Sequence, residues 1–217
     1  MLKVQCPNCG ASILFRAGET VFAVCGSCQT AMVRSDVTVE SIGKVAILQD
    51  SWAPLQLGTE GDFDGGHFFV VGRVQYRWED GTWSEWYTSF NDGRKGWMTE
   101  AQGSFALTFP VEAAEELPAL DALSTGRTIT LDGKVYEVQD IKSVELDFSQ
   151  GELPFEALPG RKSTTVDLTQ VAKATGSSGS VGFASLEYSD EGVLVFVGRY
   201  EEFDSLNFQN LRVIDGW

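Results

Sequence analysis

The sequence predicts a mainly β chain: a small N-terminal zinc ribbon followed by an antiparallel β-body, for which two related β-rich halves are one arrangement. Three observations carry this prediction. All four cysteines fall within the first 28 residues as two Cys-x-x-Cys turns. Beyond Val37, short runs of Val, Ile, Phe, Tyr and Trp are punctuated by Gly and Asp-Gly. Only two stretches, 111–123 and 168–174, carry a helical pattern, and Pro118 interrupts the first.

The N-terminal segment reads Cys6-Pro7-Asn8-Cys9-Gly10, then, after fifteen residues between Cys9 and Cys25, Cys25-Gly26-Ser27-Cys28. This is the spacing of a four-cysteine metal site, with Cys6, Cys9, Cys25 and Cys28 as ligands. Four soft thiolates suit Zn2+, and a closed shell leaves no position for water, so the expected role is structural; iron is the second choice. Gly10 and Gly26 are expected to relieve the two tight turns. Between the knuckles, residues 11–15 and 20–24 are apolar runs expected to form a hairpin across Arg16-Ala17-Gly18-Glu19, with 31–34 as a third strand. So small a module folds largely on metal binding. Replacing a ligand is therefore expected to unfold residues 1–36 and leave most of the body intact.

The expected organisation is a ribbon over 1–36, a first β-rich half over 37–110, a connector over 111–126 and a second half over 127–217. Candidate strands lie at 44–48, 67–78, 84–91, 96–99, 105–109, 128–131, 134–139, 142–148, 163–168, 183–188 and 193–203. Hairpin turns fit Asp80-Gly81, Asn91-Asp92-Gly93 and Asp132-Gly133. Gly72 interrupts the longest run and predicts a bulge with positive φ. Two echoes suggest duplication: Val71-Gly72-Arg73 with Val197-Gly198-Arg199, and Asp64-Gly65-Gly66-His67 onward with Asp132-Gly133-Lys134 onward. The acidic connector is expected to be solvated, with one or two helical turns, and residues 175–180 to form a flexible Gly/Ser loop.

Charge and composition exclude several functions. Sixteen Lys and Arg stand against 31 Asp and Glu, a net charge of −15, which opposes binding to nucleic acid or acidic lipid. Lys3, Arg16 and Arg34 are the basic residues of the ribbon, so a zinc-ribbon nucleic-acid binder ranks last among the readings. No apolar run approaches the ~18 residues of a membrane span, and the first residues lack an export leader. A cytoplasmic location follows, with membrane association only through a partner.

The body resembles the bacterial family of unknown function DUF4178, which is often found behind an N-terminal zinc ribbon. The resemblance rests on Val71-Gly72-Arg73, Trp83-Ser84-Glu85-Trp86-Tyr87, Gly96-Trp97-Met98 and Gly151-Glu152-Leu153-Pro154-Phe155, in that order. It would cover residues 38–215, with Met98 where Leu is expected. It implies a β-rich bacterial cytoplasmic protein with a partner but without an assigned reaction.

Side chains for catalysis are scarce. His67 is the one histidine and is expected at a turn or sheet edge. The ribbon takes every cysteine, and no Gly-x-Ser-x-Gly elbow or phosphate-binding loop is present. Glu112 to Glu116 is a solvated run rather than a calcium loop. Asp62, Asp64, Glu79, Asp80 and Glu85 lie near Trp78, Trp83 and Trp86, so an enzyme using carboxylates near these tryptophans is an alternative. The favoured expectation puts the tryptophans in the core and the acids in solvated turns. The leading function is a noncatalytic binding or assembly protein with a structural zinc site, engaging a protein partner that the acidic surface steers.

Overall fold

The computed structural model describes residues 2–35, 38–45, 53–101, 104–113, 116–171 and 181–213. The ribbon contains β1 (Leu2–Gln5), β2 (Ser12–Phe15), β3 (Phe22–Val24), β4 (Thr30–Ser35) and β5 (Thr38–Lys44). The expected hairpin between 11–15 and 20–24 does not form. β1 pairs with β2, and β3 with β4, because each Cys-x-x-Cys turn closes the hairpin of its own flanking strands. Residues 16–21 therefore cross from one sheet to the other. β4 also pairs with β5; residues 46–48 of the candidate strand at 44–48 lie outside the described residues.

The body is a closed antiparallel barrel. After β6 (Glu60–Phe63), the strands β7 (Gly66–Trp78), β8 (Gly81–Phe90), β9 (Lys95–Ala101) and β10 (Ser104–Val111) form one meander. After β11 (Thr128–Leu131), the strands β12 (Lys134–Leu153), β13 (Lys162–Gln170), β14 (Gly182–Ser189) and β15 (Gly192–Glu202) form a second. β10 pairs with β15, and β7 with β12, which closes an eight-stranded ring. Each half gives four strands to one wall, in the same connection order. The second sequence echo falls on corresponding turns: Asp64-Gly65 joins β6 to β7 and Asp132-Gly133 joins β11 to β12, with positive φ at all four residues.

The separate candidates at 134–139 and 142–148 are one strand, β12, with irregular register after Val138 and after Leu146. Its first part pairs with β13 and its second with β7, so bulges bend one strand around the wall. The helical candidate at 168–174 is strand as far as Gln170, where Leu168 faces Ala184. The Gly/Ser loop lies outside the described residues. The connector is not merely solvated. It makes one 3-10 turn, Leu120–Ala122, while Leu117, Leu120 and the buried Leu123 pack on the outer face of the second meander. The Tyr188 hydroxyl donates to the Pro118 carbonyl at 2.8 Å. The outer face of the first meander is covered by Leu55, Leu206 and Phe208. Among the described residues no helix is long and apolar enough to cross a membrane.

The wall closes tightly where Gly72 faces Gly151. Pairing shifts between Val70 and Gly72, so the expected bulge is present, but Gly72 has no positive φ. Its glycine is required by crowding instead: a Cβ there would lie 2.0 Å from the Glu152 carbonyl oxygen. Gly151, at φ +74, needs its glycine both for conformation and because a Cβ would lie 2.3 Å from the Val71 carbonyl oxygen. Gly198, from the other echo, meets the same condition, with Leu107 oxygen 1.8 Å from its would-be Cβ.

Gly72→Ala is therefore expected to destabilise the barrel by about 2 kcal/mol or more in urea denaturation. Gly18→Ala, with open space and no positive φ, should stay within about 0.5 kcal/mol.

Candidate functional site

Two sites emerge, one in the ribbon and one inside the barrel. In the ribbon, the Gly10 N–H donates to the Cys6 carbonyl and the Gln29 N–H to the Cys25 carbonyl, each at 2.9 Å, so both knuckles have the same turn. The residue after the second cysteine takes the left-handed conformation: Gly10 at φ +73 and Gln29 at φ +60. Gly26 does not play the part expected of it. The four Sγ atoms lie within 4.8 Å of one another, with Cys6 to Cys28 at 3.6 Å and Cys9 to Cys25 at 3.7 Å. These separations are far beyond a disulfide of about 2.0 Å. They match the ~3.8 Å edge of a tetrahedron with ~2.3 Å metal–sulfur bonds. The Thr30 hydroxyl, 3.1 Å from Cys28 Sγ, and then the Asn8 side chain hold that thiol down at about 5, while Cys9, against a backbone bond at Ala11, is pushed up to about 12 by the Cys28 thiol and by burial.

The ribbon is docked by a buried carboxylate. Glu152, next to the seam glycine, accepts bonds from the Arg16 N–H at 2.7 Å, the Ala17 N–H at 3.2 Å and the Thr20 hydroxyl at 3.2 Å. Burial pushes its carboxyl above the ordinary range, while these donors oppose the shift. β3 pairs with the end of β12 through Phe22 opposite Leu153, and Phe22, Val24 and Ala31 share one apolar cluster with Val71, Tyr76 and Trp97. Ribbon and barrel thus share a core, which corrects the expectation that the body is independent of the ribbon.

Inside the barrel lies a cavity of about 310 Å3. Alternation along β8 turns Trp83, Glu85 and Tyr87 into it, and Trp86 outward among Met98, Phe105 and Leu107. The expected picture of one buried tryptophan face with acids in turns is corrected on this point, because Glu85 is a strand residue facing the lumen. Burial pushes Glu85 up to about 7; the Trp83 indole N–H, donating at 3.2 Å, opposes this, and Glu187 and Asp167 add to it. Asp167 is raised by burial, against the Lys142 charge and a 3.3 Å bond from the Ser185 hydroxyl. Lys142 itself is ion-paired with Asp140 and lies 4.9 Å from the Trp78 ring centroid. Glu19, from the ribbon crossover, and Phe155 complete the lining. Tyr87 and Trp97 stack at 4.9 Å and Trp97 and Phe155 at 6.2 Å.

The other acids near the tryptophans are placed elsewhere. Glu79 and Asp80 form the two-residue turn before Gly81, one position ahead of the expected Asp80-Gly81 turn. Asp64 lies 3.5 Å from Arg199. Asp62 and Glu60, both on β6, clasp His67: Nδ1 is 2.8 Å from Asp62 and Nε2 3.0 Å from Glu60. His67 therefore ties β6 to β7. Sequence reading missed Glu19, Asp167 and Glu187. The signal for the last two was a single acid at an inward position among apolar strand neighbours, Val166-Asp167-Leu168 and Leu186-Glu187-Tyr188.

Two measurements test these assignments. Stripping the metal with a chelator should free four thiols to a thiol reagent and lower the melting of the whole chain, because Phe22 and Val24 leave the shared core; four reactive thiols in an untreated, fully folded protein would contradict this. His67 is raised by its bond to Asp62 and then by that to Glu60. Its contribution to stability is complete below about pH 6.5 and is lost as pH rises through the raised value. The melting-temperature gap between wild type and His67→Gln should accordingly narrow with rising pH.

Residues 56–203 match a family described as a domain of unknown function (DUF4178). The match is narrower than the 38–215 expected and takes in every barrel strand while leaving the ribbon outside. No curated protein and no solved structure matches the chain. On this match, which spans more than half of its length, the chain belongs to the DUF4178 family.

Proposed function

We propose that this protein is a noncatalytic binding module whose barrel lumen takes one small organic molecule, with a structural Zn2+ in the ribbon holding one side of that lumen in place. The observation that carries this reading is the aromatic-walled cavity of about 310 Å3 inside a closed eight-stranded wall. Barrels of this strand number have an interior that either fills with side chains or holds a single small ligand, and a cavity of this size lies at the lower bound for small-molecule sites. Zinc is the metal that suits a closed shell of four thiolates. Its role here is to fix the crossover at 16–21, from which Glu19 reaches the lining.

A second reading is an enzyme using the same lumen, favoured by Glu85 at about 7, a value suited to proton exchange near neutral pH. Recovery of a bound compound unchanged after long incubation would support binding over turnover. The protein partner is a further proposal, resting on the net charge of −15.

The neutral fluorophore N-phenyl-1-naphthylamine should bind one per chain with enhanced emission. Ser185→Trp, which fills the lumen from β14, should abolish this binding without unfolding the protein. Undiminished binding in that variant would place the fluorophore elsewhere and remove the support for the lumen.

A further inference from the structure

The lining of the lumen is electrostatically lopsided. It contains four carboxylates, Glu19, Glu85, Asp167 and Glu187, and one ammonium, Lys95. Lys95 is turned away to the carbonyl oxygens of Gly93, at 3.1 Å, and Arg94, at 3.4 Å. Asp167 and Glu187 sit on adjacent strands, since Asp167 pairs with Ser185 and Thr165 with Glu187, so the two acids are diagonal neighbours on one face. Glu85 approaches from β8, on the opposite wall in the ring order.

Among the described residues, none of these three acids is in an ion pair with a lysine or arginine; Lys142, whose charge acts on Asp167, is itself paired with Asp140. A carboxylate offers about four lone-pair sites. Glu85 accepts one hydrogen bond, from Trp83, and Asp167 one, from Ser185. The ionised form of a carboxylate in a partly desolvated cavity is unfavourable, and a ligand that supplies the opposite charge stabilises it.

The cation is not a bare metal ion. Among the described residues the four cysteines are the group whose ligand atoms converge closely enough to hold one. The acids come from different walls of the cavity, and aromatic rings line it beside them: Tyr76 and Trp83 are 5.7 Å apart and Tyr87 and Trp97 4.9 Å. Ring faces attract an organic cation as well as an apolar body.

Resting on the lumen reading above, we infer that the ligand is an organic cation, a protonated amine on a small apolar body, with its ammonium set among Glu85, Asp167 and Glu187 and its body against Trp83 and Trp97. Selectivity comes from both parts. An anion of the same shape meets uncompensated carboxylates, and a neutral isostere leaves them unpaired.

The experiment is displacement of N-phenyl-1-naphthylamine from the full, metal-loaded chain at about pH 8, where free carboxylates are ionised, by three compounds of matched shape: 2-phenylethylammonium, 2-phenylethanol and phenylacetate. The amine should displace the fluorophore at roughly tenfold lower concentration than the alcohol, and phenylacetate should be weakest. Glu85→Gln, which keeps the shape, and independently Asp167→Asn should each shrink the preference for amine over alcohol, read as the ratio of the two compounds within the same variant. Equal displacement by amine and alcohol, or stronger displacement by phenylacetate, overturns the cation inference while the lumen still binds. Failure of the fluorophore itself to bind removes the lumen reading, and this inference with it.

Discussion

Backbone closure between β7 and β12 is the constraint on which the rest of the molecule depends. Two carbonyl oxygens come so near to the α-carbons of Gly72 and Gly151 that neither position has room for a side chain. Three things follow from that approach. The wall becomes a ring with no free edge between the two meanders. Glu152, one residue beyond the seam, is buried where it accepts the Arg16 and Ala17 N–H groups. Leu153, one residue further on, pairs with Phe22 and carries the ribbon into the core. A single short stretch of β12 thus closes the barrel, docks the crossover and brings ribbon and barrel residues into one apolar cluster.

The interior is shaped by a second balance, between packing and solvation. Outer faces of both meanders are covered by the chain's own loops, with Leu123 on one side and Leu206 on the other. Those faces need no partner to bury them. The inner face is different: its aromatic residues stop short of filling the space, and acids project where a wholly apolar lining would be the least strained choice. Glu85 and Asp167 are both held toward their protonated forms by that setting, as burial outweighs the single donor each one has.

Much of this was legible in the residues. Cys-x-x-Cys spacing marked four cysteines whose sulfurs converge, because turn geometry is local and repeats, and alternation located most strands for the same reason. The Asp-Gly pairs at 64–65 and 132–133 marked turns that the fold uses in equivalent places. What stayed hidden was long-range. Nothing near Arg77 announces that it will face Glu145, and closure of the ring rests on such pairs. Gly26 looked like the permissive residue of its knuckle, yet the left-handed position came one step after the second cysteine, where Gln29 stands. Likewise Glu85 resembled a solvated acid until the parity of β8, fixed by Trp86 among buried neighbours, turned it inward. Leu168 to Gln170 carried a helical pattern that pairing with β14 overrode.

The matched connection order of the two meanders bears on how such a chain reaches its final shape. Within the first meander neighbouring strands are joined by short turns, and within the second by connections no longer than those at 154–161 and 171–181, so each can assemble from contacts close in sequence. The contacts between them, β7 with β12 and β10 with β15, join segments far apart along the chain and must wait until both are in place. Folding therefore divides into fast local steps and one slow docking step at which two open sheets find each other. Until that step is complete each sheet has bare strand edges, and an edge made to meet the other half of its own chain can equally meet that of a neighbouring molecule. Ring closure is thus also the moment at which the chain ceases to be at risk of exchanging halves with its copies.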